Sequence, residues 1–285
     1  YRYNLAKSIL PKCENIMFKR TLKVAIALSL LSSPLVLADA LSDAVNHENR
    51  SIKERSRDEY RHPQQTLRFF DVQPDMAVAE ISPGGGWYSN ILAPLLSDKG
   101  QFYAAHFYIE EGGNAYYKKS LDGFMQKISQ DENHKKIKVT AFHPTKAMDF
   151  APANSLDRVL TFRNVHNWYM QTGQEGIDSA FSSFFNALKK GGVLGVVEHK
   201  LPEVLTDEAQ KSSGYMKQSF VIAAAEKAGF TLLAHSDVNL NPLDSTDHEK
   251  GVWTLPPGLR LGEKDREKYL TIGESSRMTL KFIKP

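Results

Sequence analysis

The chain has 285 residues, 36 basic and 33 acidic side chains, a net charge of +3 and one cysteine. The length suits one α/β domain with extensions. The charge gives no strong basic field for a nucleic-acid partner, and a lone cysteine excludes an internal disulfide.

Residues 1–16 have no periodic pattern and precede Met17; they are expected to be upstream sequence rather than part of the working protein. Residues 17–40 read MFKRTLKVAIALSLLSSPLVLADA, with a basic start at Lys19, Arg20 and Lys23, an apolar stretch over 24–31, Pro34 and then small residues. The apolar stretch falls short of the roughly 20 residues that cross a bilayer. The pattern predicts a secretory signal peptide cut after Ala38 or Ala40, no stable membrane insertion afterwards, and a periplasmic or secreted destination. Cleavage removes Cys13, six basic residues and two acids, taking the charged counts from 36 and 33 to 30 and 31 and the net charge to −1.

Residues 41–70 are polar and charged. Arg50, Lys53, Arg57 and Arg61 fall near helical spacing, which predicts a solvated helix face ending before Pro63. Residues 66–70 are expected to pack on the following domain, 71–285.

From residue 76 the chain alternates strand and helix patterns. Strands are predicted at 76–81, 100–107, 137–142, 156–162, 193–198 and 230–235, with a final edge strand at 277–283. Helices are predicted at 87–96, 115–128, 177–188 and 215–229. The helix at 115–128 would pack through Tyr117, Leu121, Phe124, Met125 and Ile128, and Gly191–Gly192 would cap the one before strand five. The alternation implies a doubly wound, mostly parallel seven-stranded sheet, with its cleft at the carboxyl ends of the strands. Residues 239–276, long and polar with Trp253, Pro256 and Pro257, form a lid-like insertion before the last strand.

The run E-I-S-P-G-G-G over 80–86 lies between the first strand and the first amphipathic helix. Glycines at such a turn let backbone approach a ligand closely, and the free N–H groups of the helix start can hold polar ligand atoms. Glu80, at the strand end, is placed to fix a hydroxylated or charged tail.

This arrangement resembles motif I of the class I S-adenosylmethionine (SAM)-dependent methyltransferases, E/D-x-G-x-G-x-G. Glu80, Gly84 and Gly86 match, with Ser82 where the first glycine stands. Further stretches resemble a family of predicted methyltransferases exported by bacteria: DEYRHP (58–63), PGGGWY (83–88), LTFRNVHNW (160–168), GVVEH (195–199), KGVWTLPP (250–257) and GESSRMTLKF (273–282). The resemblance implies a Rossmann-like methyltransferase fold with SAM held by Glu80, Ser82, Gly84, Gly85 and Gly86. The class usually carries an acid after strand two and another after strand three. Here the first place holds Ala105 and His106, with Glu110 and Glu111 beyond, and the second falls near Pro144 and Thr145, with Asp149 the nearest acid. Glu110 and Asp149 are therefore the candidates for those two anchors.

Methyl transfer needs alignment, exclusion of water and removal of a proton from the acceptor. The carboxyl ends of strands four and five supply Asn164, His166 and His199 as catalytic candidates, with His166 as the general base because its unperturbed pKa lies near neutrality. Arg61, His62, Trp168 and Trp253 are candidates for binding a small-molecule substrate. Histidines at 143, 166, 199 and 235 have no metal-ligand spacing, so no metal is expected, and there is no Ser–His–Asp elbow. The alternative is a non-catalytic periplasmic ligand-binding protein that retains the fold, which the displaced acids and the export signal favour. A nicotinamide enzyme ranks lower, since no third glycine completes G-x-G-x-x-G. Oligomeric state is left open.

Overall fold

Helix-breaking residues divide the N-terminal extension into four short helices. The computed structural model describes residues 34–285; residues 1–16, Cys13 and the signal-peptide core lie outside the described residues. Helix α1 (Pro34–Val45) contains both expected cleavage points, and α2 (Ile52–Arg55) follows. Ser51 and Glu54 form a reciprocal capping box at the start of α2. Helix α3 (Asp58–Arg61) stops at His62, whose left-handed φ of 41° turns the chain so that Pro63 can open α4 (Pro63–Phe69).

The alternating region then folds as β1 (Ala77–Ile81), α5 (Ser89–Leu96), β2 (Gln101–Phe107), α6 (Ala115–Ser129), β3 (Lys138–Phe142) and β4 (Leu156–Phe162). Helix α7 (Val165–Ala187), kinked at Gly173, leads to β5 (Leu188–Leu201), β6 (Met216–Lys217), α8 (Gln218–Lys227) and β7 (Thr231–Ser236). After the insertion, which carries α9 (Arg266–Ile272), β8 (Arg277–Ile283) ends the sheet.

The main sheet runs β3-β2-β1-β4-β5-β8-β7, with β6 paired separately to β5. Strands β1 to β5 are parallel, and β8 is antiparallel to both β5 and β7. The last strand is therefore interior, and β7 is the edge. From β1 the chain moves outward to β2 and β3, then returns to place β4 on the other side. That reversal opens a crevice between the carboxyl ends of β1 and β4.

Because neighbouring strand residues face opposite sides, each strand feeds two cores. Ala79, Ile81 and Val159 join Phe181 and Phe184 of α7 on one face. Val78, Leu160 and Phe162 join Leu67, Ile91 and Leu92 on the other.

Four local expectations need correction. Met125 is exposed, while Phe124 and Ile128 of the same helix are buried, because α6 covers the sheet with a narrower stripe than its apolar residues suggest. The helix before β5 begins twelve residues earlier than the pattern at 177–188, directly after β4, and ends at Ala187 before Gly191–Gly192, which lie within β5. Arg50 and Arg61 are buried rather than solvated: Arg50 pairs with Asp58 and Arg61 with Glu274, across from the extension. The insertion is packed, with Thr254, Leu255 and Glu274 each at most 2% exposed.

Candidate functional site

The turn after β1 builds one wall of the crevice. Ser82 takes a left-handed φ of 52° and its N–H donates to the Ala105 carbonyl at 2.8 Å. The amides of Gly84 and Gly85 have no protein acceptor among the described residues, and a Cβ at either would project into open space. Gly86 differs: its φ is 75°, and a Cβ there would stand 2.9 Å from the Phe124 ring, so its glycine serves packing. Glu80 is buried beneath the turn and accepts from Ser89 Oγ at 2.6 Å. Burial pushes its carboxyl up to about 7, against the opposing effects of the Ser89 hydrogen bond and the Arg163 charge.

His106 ends β2 where the resemblance expects an acid. Its Nδ1 accepts from the Phe107 N–H at 2.8 Å and its Nε2 donates to the Gly84 carbonyl at 3.0 Å, which fixes a neutral tautomer and pins the glycine turn. Burial lowers its pKa, outweighing the bond to Gly84. The two displaced acids do not replace it. Glu110 is exposed and pairs with Lys146 at 2.6 Å, and Asp149 is exposed; neither lines the cavity. An aromatic wall, including Phe107 stacked on Tyr117 at 4.3 Å, occupies that side instead.

The β4–α7 junction and the end of β5 form the opposite wall. Asn164 Nδ2 donates to the Ile81 carbonyl at 2.9 Å and to Thr161 Oγ1 at 3.1 Å, so this side chain ties the ends of β1 and β4 together. His166 is 3% exposed, and its Nδ1 donates to Glu198 Oε1 at 2.9 Å. The N–H groups of His166 and His199 also donate to Glu198, at 3.2 and 2.7 Å. Every donor around Glu198 thus meets a carboxylate acceptor, and the free lone pair of His166 sits on Nε2. His199 packs its ring 5.1 Å from that of His166 and shares a hydrogen bond of 2.5 Å with Ser275. Burial first, then the charges of His166, Arg277, Arg163 and Arg61, hold His199 well below the usual histidine range.

His166, Glu198 and His199 each offer a ligand atom within 4.8 Å of the others, a grouping that spacing in the sequence conceals. The carboxylate already accepts three hydrogen bonds, and nearby guanidiniums raise the positive potential around His199. Both features favour a proton-handling pair over a cation.

Among the substrate-binding candidates, Arg61, Trp168 and Trp253 line the cavity, whereas His62, in the left-handed link between α3 and α4, does not. Trp168 is 5% exposed and packs on Phe142 and Phe184, so it is mainly core. The insertion brings Trp253 to 6.1 Å from the His166 ring, with the Arg260 guanidinium 4.5 Å over the indole. Glu198, Glu274 and Arg277 join the site only through the tertiary structure. The charge of Glu198 directly after the apolar run 193–197 is the signal that marks one of them.

These walls enclose a cavity of about 840 Å³, within the size range of small-molecule sites. No family model matches the sequence, and no curated protein matches it. Solved structures match by shape. A SAM-dependent methyltransferase from Aquifex aeolicus has a TM-score of 0.54 at 14% identity, over 86% of this chain and 98% of that one. The [4+2]-cyclase SpnF has a TM-score of 0.54 at 13% identity, over 87% and 93%. Phosphoethanolamine N-methyltransferase 2 of Haemonchus contortus, in complex with S-adenosyl-L-methionine, has a TM-score of 0.53 at 14% identity, over 86% and 60%. The order and direction of the strands, taken with these likenesses, give the described chain the Rossmann-like fold of the class I SAM-dependent methyltransferases.

Proposed function

We propose that the chain is a SAM-dependent methyltransferase acting on a small or envelope-associated molecule. One observation carries this reading: the backbone turn at Gly84 and Gly85, with no side chain crowding it, opens into the same cavity as the His166–Glu198 pair. Ser82, Gly84, Gly85 and Glu80 would hold the polar parts of SAM, and the aromatic wall of Phe107 and Tyr117 suits a flat base. When bound, SAM supplies an electrophilic methyl group. His166 Nε2 takes the acceptor's proton, and Glu198 orients the ring and stabilises the imidazolium that forms. Asn164 keeps the two strand ends in register, and Trp253 excludes water above the pair.

A second reading, a non-catalytic ligand-binding protein, is favoured by the absence of an acid at His106 and by the outward positions of Glu110 and Asp149. The cyclase SpnF also shows that the fold hosts other work. Calorimetric titration with SAM and S-adenosylhomocysteine separates the two. Binding of both supports the enzyme, and absence of heat with either supports the second reading.

Export through residues 17–40 belongs to this proposal. Intact mass of protein recovered from the bacterial envelope tests it, with a mature start after Ala38 or Ala40 expected. Among the described residues no helix is long and apolar enough to cross a membrane.

A further inference from the structure

Four guanidiniums gather on the acceptor side of the cavity with one carboxylate among them. Glu274 is 2% exposed and accepts from Arg57 at 2.5 Å, from Arg61 at 3.0 Å and from Arg277. Arg163, the fourth, has no hydrogen bond or ion pair from its side chain among the described residues, yet lines the cavity. Its backbone is held in the left-handed region at φ 65°, with its N–H donating to the Val197 carbonyl at 2.7 Å. Arg277, itself 2% exposed, leaves its Nε without a partner, and Arg61 lies with its guanidinium 4.7 Å over the Trp87 ring, bonded to Glu274 only through Nε.

We propose that Arg163, with Arg61 and Arg277, binds an anionic group of the acceptor molecule, a carboxylate or a phosphate, beside His166. This rests on the methyl-transfer reading above. Planar guanidiniums recognise both anions through paired N–H donors, and here the single carboxylate of Glu274 is shared among them. The mutual repulsion is visible in the charges: burial and Arg277 lower Arg163 to about 10, and burial with Arg163 brings Arg61 well below its usual value. An anion between them relieves that repulsion.

Arg163 and Arg277 lie on the acceptor half of the strand ends, while Arg61 reaches towards Trp87 beside the glycine turn. The glycine cradle and aromatic wall occupy the β1–β2–β3 half of the strand ends. Arg163 directly follows β4, and Arg277 on β8 lies opposite His199 in the β5–β8 ladder, two strands further from the cradle. An acceptor anchored there would present its reacting atom towards His166 Nε2.

The test uses the full chain. Inorganic phosphate and acetate are titrated calorimetrically into protein saturated with S-adenosylhomocysteine, for wild type, Arg163→Gln and Arg163→Lys, with melting temperatures confirming each fold. The expected result is binding of one anion, about tenfold weaker in Arg163→Gln and partly restored in Arg163→Lys, with S-adenosylhomocysteine affinity nearly unchanged. Preference for phosphate or acetate identifies the group. The proposal is overturned if neither anion binds the wild type, or if Arg163→Gln loses S-adenosylhomocysteine instead, which would assign the guanidiniums to the cofactor's own carboxylate. If S-adenosylhomocysteine fails to bind but an anion binds through Arg163, the anion site stands and the methyl-transfer reading falls.

Discussion

His166 Nδ1 and Glu198 Oε1 lie 2.9 Å apart at the buried floor of the cavity, joining the start of α7 to the end of β5. The bond leaves Nε2 as the basic atom. His166→Ala should lower turnover by about 10²–10⁴-fold, the usual range for losing general acid–base help. Affinity for S-adenosylhomocysteine should stay within about twofold, by calorimetry, because the cradle lies on β1. Lost cofactor affinity with normal turnover at saturation would move His166 into the cofactor pocket.

Gly85 and Gly86 should respond differently. Gly85→Val places its side chain in open space at the cradle, so S-adenosylhomocysteine binding should vanish while the melting temperature holds. Gly86→Val meets the Phe124 ring and a positive φ, so it should destabilise by about 1–3 kcal/mol in denaturant titrations. Equal behaviour of the two variants would contradict this division.

Glu80 predicts a pH dependence. Its folded pKa of about 7 lies above its unfolded value near 4.5, so the folded state retains a proton that the unfolded chain releases. Its contribution is full below about 4.5 and is lost as pH rises through 7. The amount is on the order of 3 kcal/mol, at about 1.4 per unit. Glu80→Gln should gain melting temperature relative to wild type as pH rises from 5 to 7. A difference independent of pH would show that the carboxyl is not held protonated.

Glu274 acts in the opposite sense. Burial pushes its carboxyl up, but Arg277, Arg61, Arg163 and Arg57 outweigh burial and hold it well below the usual range. Its contribution is present above the unfolded value and is lost as pH falls through the depressed folded value. Glu274→Gln leaves the guanidiniums without their shared carboxylate and should cost about 3–5 kcal/mol by chemical denaturation. A loss under 1 kcal/mol would mean that solvent already screens them.

Asp244 anchors the insertion by accepting from Tyr215 Oη at 3.0 Å, the Thr246 N–H at 3.0 Å, His248 Nε2 at 2.9 Å and the Ser276 N–H at 2.7 Å. Asp244→Ala should speed proteolysis within 239–276 several-fold relative to wild type and lower stability by about 2–4 kcal/mol, since buried donors lose their acceptor. Unchanged cutting would show that the insertion is held by its apolar contacts alone.

Much of the fold is legible from local pattern. The strands at 77–81, 101–107, 138–142 and 156–162 lie within a residue of the apolar runs that mark them. The glycine turn is readable because backbone geometry demands those residues. Less readable is the start of α7 at Val165, since Asn164, His166 and Asn167 lack the periodic apolar signal until Ile177. The burial of Arg50 and Arg61 is not legible, because helical spacing reports a face and not what covers it. Likewise, Glu110 and Asp149 are near their expected places along the chain, but the loops carrying them turn to solvent.

By itself the sequence determined the alternation of strands and helices, the glycine turn at 84–86 and the histidine after β4, because each depends on neighbours within a few residues. Tertiary structure decided which distant groups meet. The antiparallel pairing of β8 with β5 sets Arg277 opposite His199. The return of the chain from β3 to β4 brings Asn164 to Ile81. The packing of the N-terminal helices drives Arg61 onto Glu274, 213 residues away. Such contacts arise from burial and charge pairing across the sheet, which no local period along the chain encodes.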